Sequence, residues 1–292
     1  MFKARELALK SNDPKVQTTF FITIALQYEQ MELDSKTLES LDEAEQYLAK
    51  IPDGTYHKYF EIGRINLVQG MISKKQSNPE IALQRFQTAV KSFEKIKEAS
   101  KTYYNQSILF FYIGNCYLDL GSEEKAEKAF TKAYNLAIIT DSNSLESYAL
   151  KGLSQIQKIK HHNNRALQYL KDAEERGKKT DDSKLLEEIY KEMADNYLAM
   201  GNQNYYQLYN KKLQELQFKR EQLELSSVNE SINVQNRNAL IKTQELESTY
   251  KNLIILTLIL SCSICCIISF AAYKLMRGNR QNTREIQKIL RD

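Results

Sequence analysis

One arrangement of large and small residues recurs about every forty positions along this chain, and it confines most of the polypeptide to stacked helix pairs. In the clearest copy, Phe110, Ile113, Gly114 and Tyr117 precede Gly121, and Ala126, Phe130 and Ala133 follow it. The first set shares one face of a helix; the second, at spacings of four and three, shares one face of another. Gly121 falls at the reversal between them, where a missing side chain permits a tight turn. The small residues Gly114, Ala126 and Ala133 let the two helices approach, and the rings fill the remaining space. The arrangement returns as Leu150, Leu153, Ser154, Ala166, Leu170 and Ala173, then as Tyr190, Met193, Ala194, Tyr197, Gly201, Tyr206 and Leu213. Two earlier copies are expected to carry longer turns. One runs Phe21, Ile24, Ala25, Tyr28, Ala44, Leu48 and Ile51; the other runs Gly63, Asn66, Gly70, Ala82, Phe86 and Ala89. Five copies predict an all-α fold, a right-handed helical solenoid. No run alternates as a strand would, and Pro14, Pro52 and Pro79 fall in or beside turns.

This pattern resembles the tetratricopeptide repeat (TPR) family across residues 3–217, most fully over residues 107–140. The last copy departs from it, with Tyr206 and Asn210 where an alanine and a large apolar residue are usual, so its second helix is expected to meet a different neighbour. The opening segment Lys3–Lys10 resembles the end of a second repeat helix whose first helix is absent, which suggests a fragment or a misplaced start. No secretory signal pattern precedes it.

The resemblance implies a concave surface lined by first helices. Its positions match Ile108, Phe111, Asn115 and Leu118 in the fullest copy and Tyr148, Lys151, Gln155 and Lys158 in the next. In the second copy they match His57, Phe60, Arg64 and Leu67. There Asn115 and Gln155 would hydrogen-bond a peptide backbone, and Lys151, Lys158 and Arg64 would meet carboxylates. Phe111 and Tyr148 would supply apolar contact. Facing water or an adjacent helix is the competing account of each. On the binding account, changing Lys151 and Lys158 together to glutamate abolishes capture of an acidic partner without unfolding the solenoid.

Nothing in the chain nominates catalysis. His161 and His162 fall in a turn, and His57 stands alone, without ligand-spaced cysteines or carboxylates. The acidic pairs Glu174-Glu175, Asp181-Asp182 and Glu187-Glu188 read as solvated faces rather than acid-base machinery. No nucleophile motif is present, so neither an enzyme, a metal nor a cofactor is expected. The 18 tyrosines and 11 phenylalanines mostly follow helical spacing and read as core.

After Gly201 the chain becomes rich in Gln, Glu, Lys, Asn and Leu, without proline or further glycine up to Tyr250. Residues 218–252 are read as a helical connector beyond a solenoid ending at 217. Leu216 and Leu223 are seven apart, but Arg220 and an Asn-rich stretch interrupt any heptad. A homodimeric coiled coil and a single solvated helix both remain open. Residues 253–273 then form an apolar run of 21 residues bounded by Lys251 and Lys274. At about 1.5 Å per residue such a helix crosses a hydrocarbon core of about 30 Å. Its Cys262, Cys265 and Cys266 read first as small packing residues beside Ser261 and Ser263, with lipidation and then metal binding as the lesser alternatives, and with only Cys116 elsewhere the fold needs no disulfide.

The net charge is +4, and the basic tail of residues 274–292 accounts for all of it. The preceding domain is neutral overall, which gives no support for direct nucleic-acid binding. A tail rich in arginine and lysine favours a cytoplasmic C-terminus and an external N-domain, as in a bacterial inner membrane. The plan resembles Bacteroidetes-type single-pass TPR sensors, whose cytoplasmic output module has no counterpart in residues 274–292. It implies a membrane-anchored module for binding a protein or peptide, the sensory or scaffolding part of a signalling or transcription-regulatory protein. A tail-anchored adaptor with a cytosolic repeat domain is the alternative.

Overall fold

The computed structural model describes residues 9–289, which are helical apart from short connections. Helices α1 (Pro14–Gln30) and α2 (Asp34–Leu48) form the first pair, and α3 (Tyr56–Lys75) and α4 (Pro79–Glu94) the second. The third pairs α5 (Tyr103–Asp119) with α6 (Glu123–Ile139), and the fourth α7 (Asn143–Ile159) with α8 (Asn163–Gly177). Helix α9 (Ser183–Ala199) precedes α10 (Gln203–Ile289), whose first turns complete the fifth pair. No strand occurs among the described residues. The segment beginning at Lys3 lies mostly outside them; its last two residues, Leu9 and Lys10, are helical.

Local chemistry sets the helix ends. Pro14 and Pro79 occupy first-turn positions, where a missing N–H costs nothing. Side chains of Asp13, Thr55 and Asp182 accept from Lys15, Lys58 and Leu185 backbone N–H groups at 2.9, 3.3 and 3.0 Å. Each hairpin then turns on one left-handed residue: Glu32, Ser77, Gly121, His161 and Gly201, with φ between 58° and 70°. The following N–H reaches five residues back, as in Leu33 to Tyr28 at 2.9 Å and Ser122 to Tyr117 at 2.7 Å. The longer turns expected in the first two copies therefore do not exist. Thr37 had concealed the register. It is fully buried where the fullest copy has Ala126, and its hydroxyl bonds back to the Leu33 carbonyl at 3.1 Å.

Within the second and third pairs, rings of the second helix press on bare backbone of the first. A Cβ added to Gly70 would lie 2.3 Å from Phe86, and one added to Gly63 would lie 2.4 Å from Phe93. Phe130 serves two repeats, because it packs on both Gly114 and Gly152. The fifth pair differs as its sequence suggested. Tyr209 is buried there, stacks on Tyr197 with centroids 5.6 Å apart, and meets Tyr190 at a tilt with centroids 6.0 Å apart.

Two acidic residues read from sequence as solvated are instead buried. Glu174 meets Lys178 at 2.7 Å and Lys212 at 3.2 Å; Glu187 accepts from Arg220 at 2.8 and 3.3 Å. Lys178 is the i+4 neighbour of Glu174 at the end of α8, but Lys212 and Arg220 lie on α10, one or more helices away, so local charge pattern could not reveal those two partners. The chain divides into two compact units between Arg220 and Glu221, so the first unit keeps the arginine that holds α9. In the second unit residues 253–273 are exposed, and this helix is long and apolar enough to cross a membrane by length and composition.

Asn196 on α9 is fully buried, yet neither side-chain polar atom has a hydrogen-bond partner among the described residues. The same register position holds Ile72, Cys116 and Ile156 in the three preceding repeats, all buried. An unpartnered buried amide costs about 1–3 kcal/mol. Asn196→Ile is therefore expected to raise stability by about 1–3 kcal/mol. A urea midpoint that falls in this variant would show that the amide has a partner in solution.

Candidate functional site

First helices of successive repeats line a concave groove of about 960 Å3. Its apolar floor comes from Leu26 on α1, Leu67 and Met71 on α3, Ile108 and Phe111 on α5, and Leu145 on α7. Phe111 packs against Tyr148 and Tyr112, with ring centroids 5.3 and 5.5 Å away. The far wall is the start of α9, contributing Asp182, Lys184 and Glu188. Lys184 comes within 3.8 Å of Glu32, so the fifth repeat approaches the first across the mouth.

Of the residues read from sequence as the binding surface, Arg64, Phe111 and Tyr148 line this groove. Asn115, Lys151, Gln155 and Lys158 lie outside its lining and are committed elsewhere. The Asn115 amide donates to the Phe111 carbonyl one turn back at 3.1 Å. Lys151 forms an ion pair with Glu188. Gln155 and Lys158 both donate to Glu192, at 3.1 and 3.2 Å. Arg64 donates to the buried Glu61 at 3.0 Å, and Thr19 of the preceding repeat donates to the other Glu61 oxygen at 2.7 Å. Cations expected to meet a ligand's carboxylates thus already meet carboxylates of this chain, most of them on a neighbouring repeat. His57 joins the same cluster, 3.3 Å from the Thr19 hydroxyl.

Sequence reasoning missed Glu29, Tyr112, Asp182 and Glu188. Tyr112 was legible, since it adjoins Phe111 and lies four residues after Ile108; the carboxylates become groove residues only through superhelical closure. Burial raises the Glu29 pKa above the ordinary carboxylate value, partly offset by Lys75 and Lys184. Burial, followed by the charges of Glu29 and Glu188, holds the Tyr112 hydroxyl far above the usual tyrosine range. Tyr148 is raised in the same direction by burial and then by Asp182, whose carboxylate accepts its hydroxyl proton at 2.9 Å. These phenols stay neutral donors. They suit recognition of polar groups.

No protein-family model matches the chain, and no curated protein matches it. Solved structures do. BtubC (BKLC) from P. vanneervenii aligns with a TM-score of 0.58 at 11% identity, over 75% of this chain and 87% of its own. Aspartyl phosphate phosphatase F from Bacillus subtilis aligns with a TM-score of 0.57 at 14% identity, over 74% of this chain. The present chain spans only 55% of that phosphatase. A putative kinesin light chain from Podospora anserina with nearly identical TPR-like repeats aligns at 0.50 and 13% identity, over 73% of this chain and 99% of its own. The fold is a TPR-like helical solenoid. At these identities the likeness concerns architecture alone, and the TPR-like groove has to be read from its own residues.

Proposed function

We propose that this chain is a membrane-anchored binding module, in which the concave groove takes a segment of a partner protein and residues 253–273 cross a bilayer. The groove carries the reading. A cavity of about 960 Å3 with an apolar floor and charged walls has the size to take side chains of a partner segment. The module acts by binding rather than by catalysis, as the sensory or scaffolding part of a bacterial signalling or transcription-regulatory assembly. The basic residues after 273 favour a cytoplasmic tail with the solenoid outside.

Two measurements test this. A photo-crosslinking amino acid in place of Ile108, in the groove, is expected to trap a partner that the same group in place of Thr131, outside the groove lining, does not. Equal trapping from both positions would remove the groove assignment. Protease treatment of sealed cells is expected to cleave a tag before Met1 and spare one after Asp292. A protected N-terminal tag would overturn the external placement and favour a tail-anchored adaptor.

A further inference from the structure

The ion pairs of the solenoid change the sign of the ligand that the groove fits. Of its basic lining residues, Arg64, Lys74 and Lys75 are held at 3.0, 3.0 and 2.9 Å by Glu61, Asp119 and Asp34, none of which lines the cavity. Lys184 is shared with Glu32, and Glu188 is taken by Lys151. This leaves two lining carboxylates without an ion-pair partner among the described residues, although Lys75 and Lys184 act on Glu29 from a distance. Glu29 is half-buried, and its carboxylate makes no hydrogen bond or ion pair among the described residues. The Asp182 carboxylate accepts only neutral donors, the Tyr148 hydroxyl at 2.9 Å and the Leu185 N–H at 3.0 Å. Tyr112 lines the same groove; its hydroxyl has no protein partner among the described residues, and its ring meets that of Phe111 edge-on, which in turn packs against Tyr148.

We propose, resting on the groove reading above, that the occupant is a peptide segment bearing a lysine or arginine, its cation entering between Glu29 and Asp182 beside the Tyr112 and Tyr148 rings. The aliphatic stem of such a side chain packs on the Phe111 floor while its charged head meets the carboxylates. Aromatic faces stabilise the cation further, an interaction already present where Lys151 lies 5.7 Å from the Tyr148 centroid. An acidic segment would instead bring a third carboxylate to two that no ion pair holds.

The test is a displayed library of random nonapeptides, selected on the full chain in lipid nanodiscs. Recovered peptides are measured by fluorescence anisotropy against the parent, Ile108→Trp, and the pair Glu29→Gln with Asp182→Asn. Asparagine keeps the α9 cap, so this pair removes charge without removing the helix start. Ile108→Trp fills the groove without changing charge. The expected result is binders lost to Ile108→Trp, enriched in lysine or arginine at one position, and weakened about tenfold or more by the carboxylate pair. Replacing that position with norleucine should abolish the effect of the pair. Binders blocked by Ile108→Trp but neutral or acidic there would overturn the cation assignment and leave the groove reading standing. Binders indifferent to Ile108→Trp, or none at all, would overturn both.

Discussion

Phe130→Ala is expected to lower the stability of the solenoid by about 3–5 kcal/mol, the range for a large aromatic removed from a core that cannot collapse. Phe130 is fully buried and sits on bare backbone of two helices at once. A Cβ on Gly114 would lie 2.6 Å from its ring, and one on Gly152 would lie 2.4 Å away. Gly114 belongs to the same repeat and Gly152 to the next, so the ring joins the third pair to the fourth. Because a solenoid is stabilised mainly by contacts within repeats and between neighbours, loss at this joint weakens the coupling between the two halves of the array. The variant should show a lower urea midpoint and a broader transition by tyrosine fluorescence of the full chain in detergent. An unchanged midpoint would mean that the ring is not wedged between the helices. Overpacking probes the same contact from the other side. Gly152→Ala should cost about 1–3 kcal/mol, and combining it with Phe130→Leu should cost less than the sum of the two single changes. Additive losses would show that the two residues do not touch.

That joint was half legible in the sequence. The spacing of Gly114 and Phe130 announced a close helix pair, and the same spacing made five repeats visible through uneven residues. Gly152 was not part of the pattern, because its partner lies in the preceding repeat and a self-comparison finds only what recurs. Thr37 hid the first repeat's register for a related reason: a buried threonine does the work of alanine once its hydroxyl is satisfied by its own helix. The groove divided along a physical line. Apolar positions such as Phe111 and Tyr148 could be placed from the repeat resemblance. Charged positions could not, since the same lysine serves a ligand or a neighbouring helix depending on where a carboxylate some forty residues away arrives. Glu188, Glu192 and Glu174 arrive at such lysines, and superhelical stacking sets where they do so.

Lys151→Glu should consequently unfold rather than merely switch off a binding surface, with a cost of about 2–4 kcal/mol. The Lys151 side chain is 11% exposed and lies between the Phe111 and Tyr148 rings and the Glu188 carboxylate. Reversing its charge loses both interactions and sets two carboxylates against each other in a poorly hydrated site. Because Glu188 is itself 41% exposed, solvent screens part of the repulsion, which places the cost below that of a fully buried pair. Lys151→Met keeps the stem packing and removes only the pair, so about 1 kcal/mol is expected. Lys158→Glu, at a site 38% exposed, should also cost no more than about 1 kcal/mol. The combination Lys151→Glu with Glu188→Lys restores opposite charges across the α7–α9 contact and should recover at least half of the loss. Urea midpoints for these four variants decide between two roles for one residue. If Lys151→Glu leaves the midpoint unchanged, the lysine is free in solution and the ligand-binding role read from its helical position returns. If the charge-swapped pair recovers the midpoint, Lys151 is a fastener between the fourth and fifth repeats, and the carboxylates opposite it are what shape the groove.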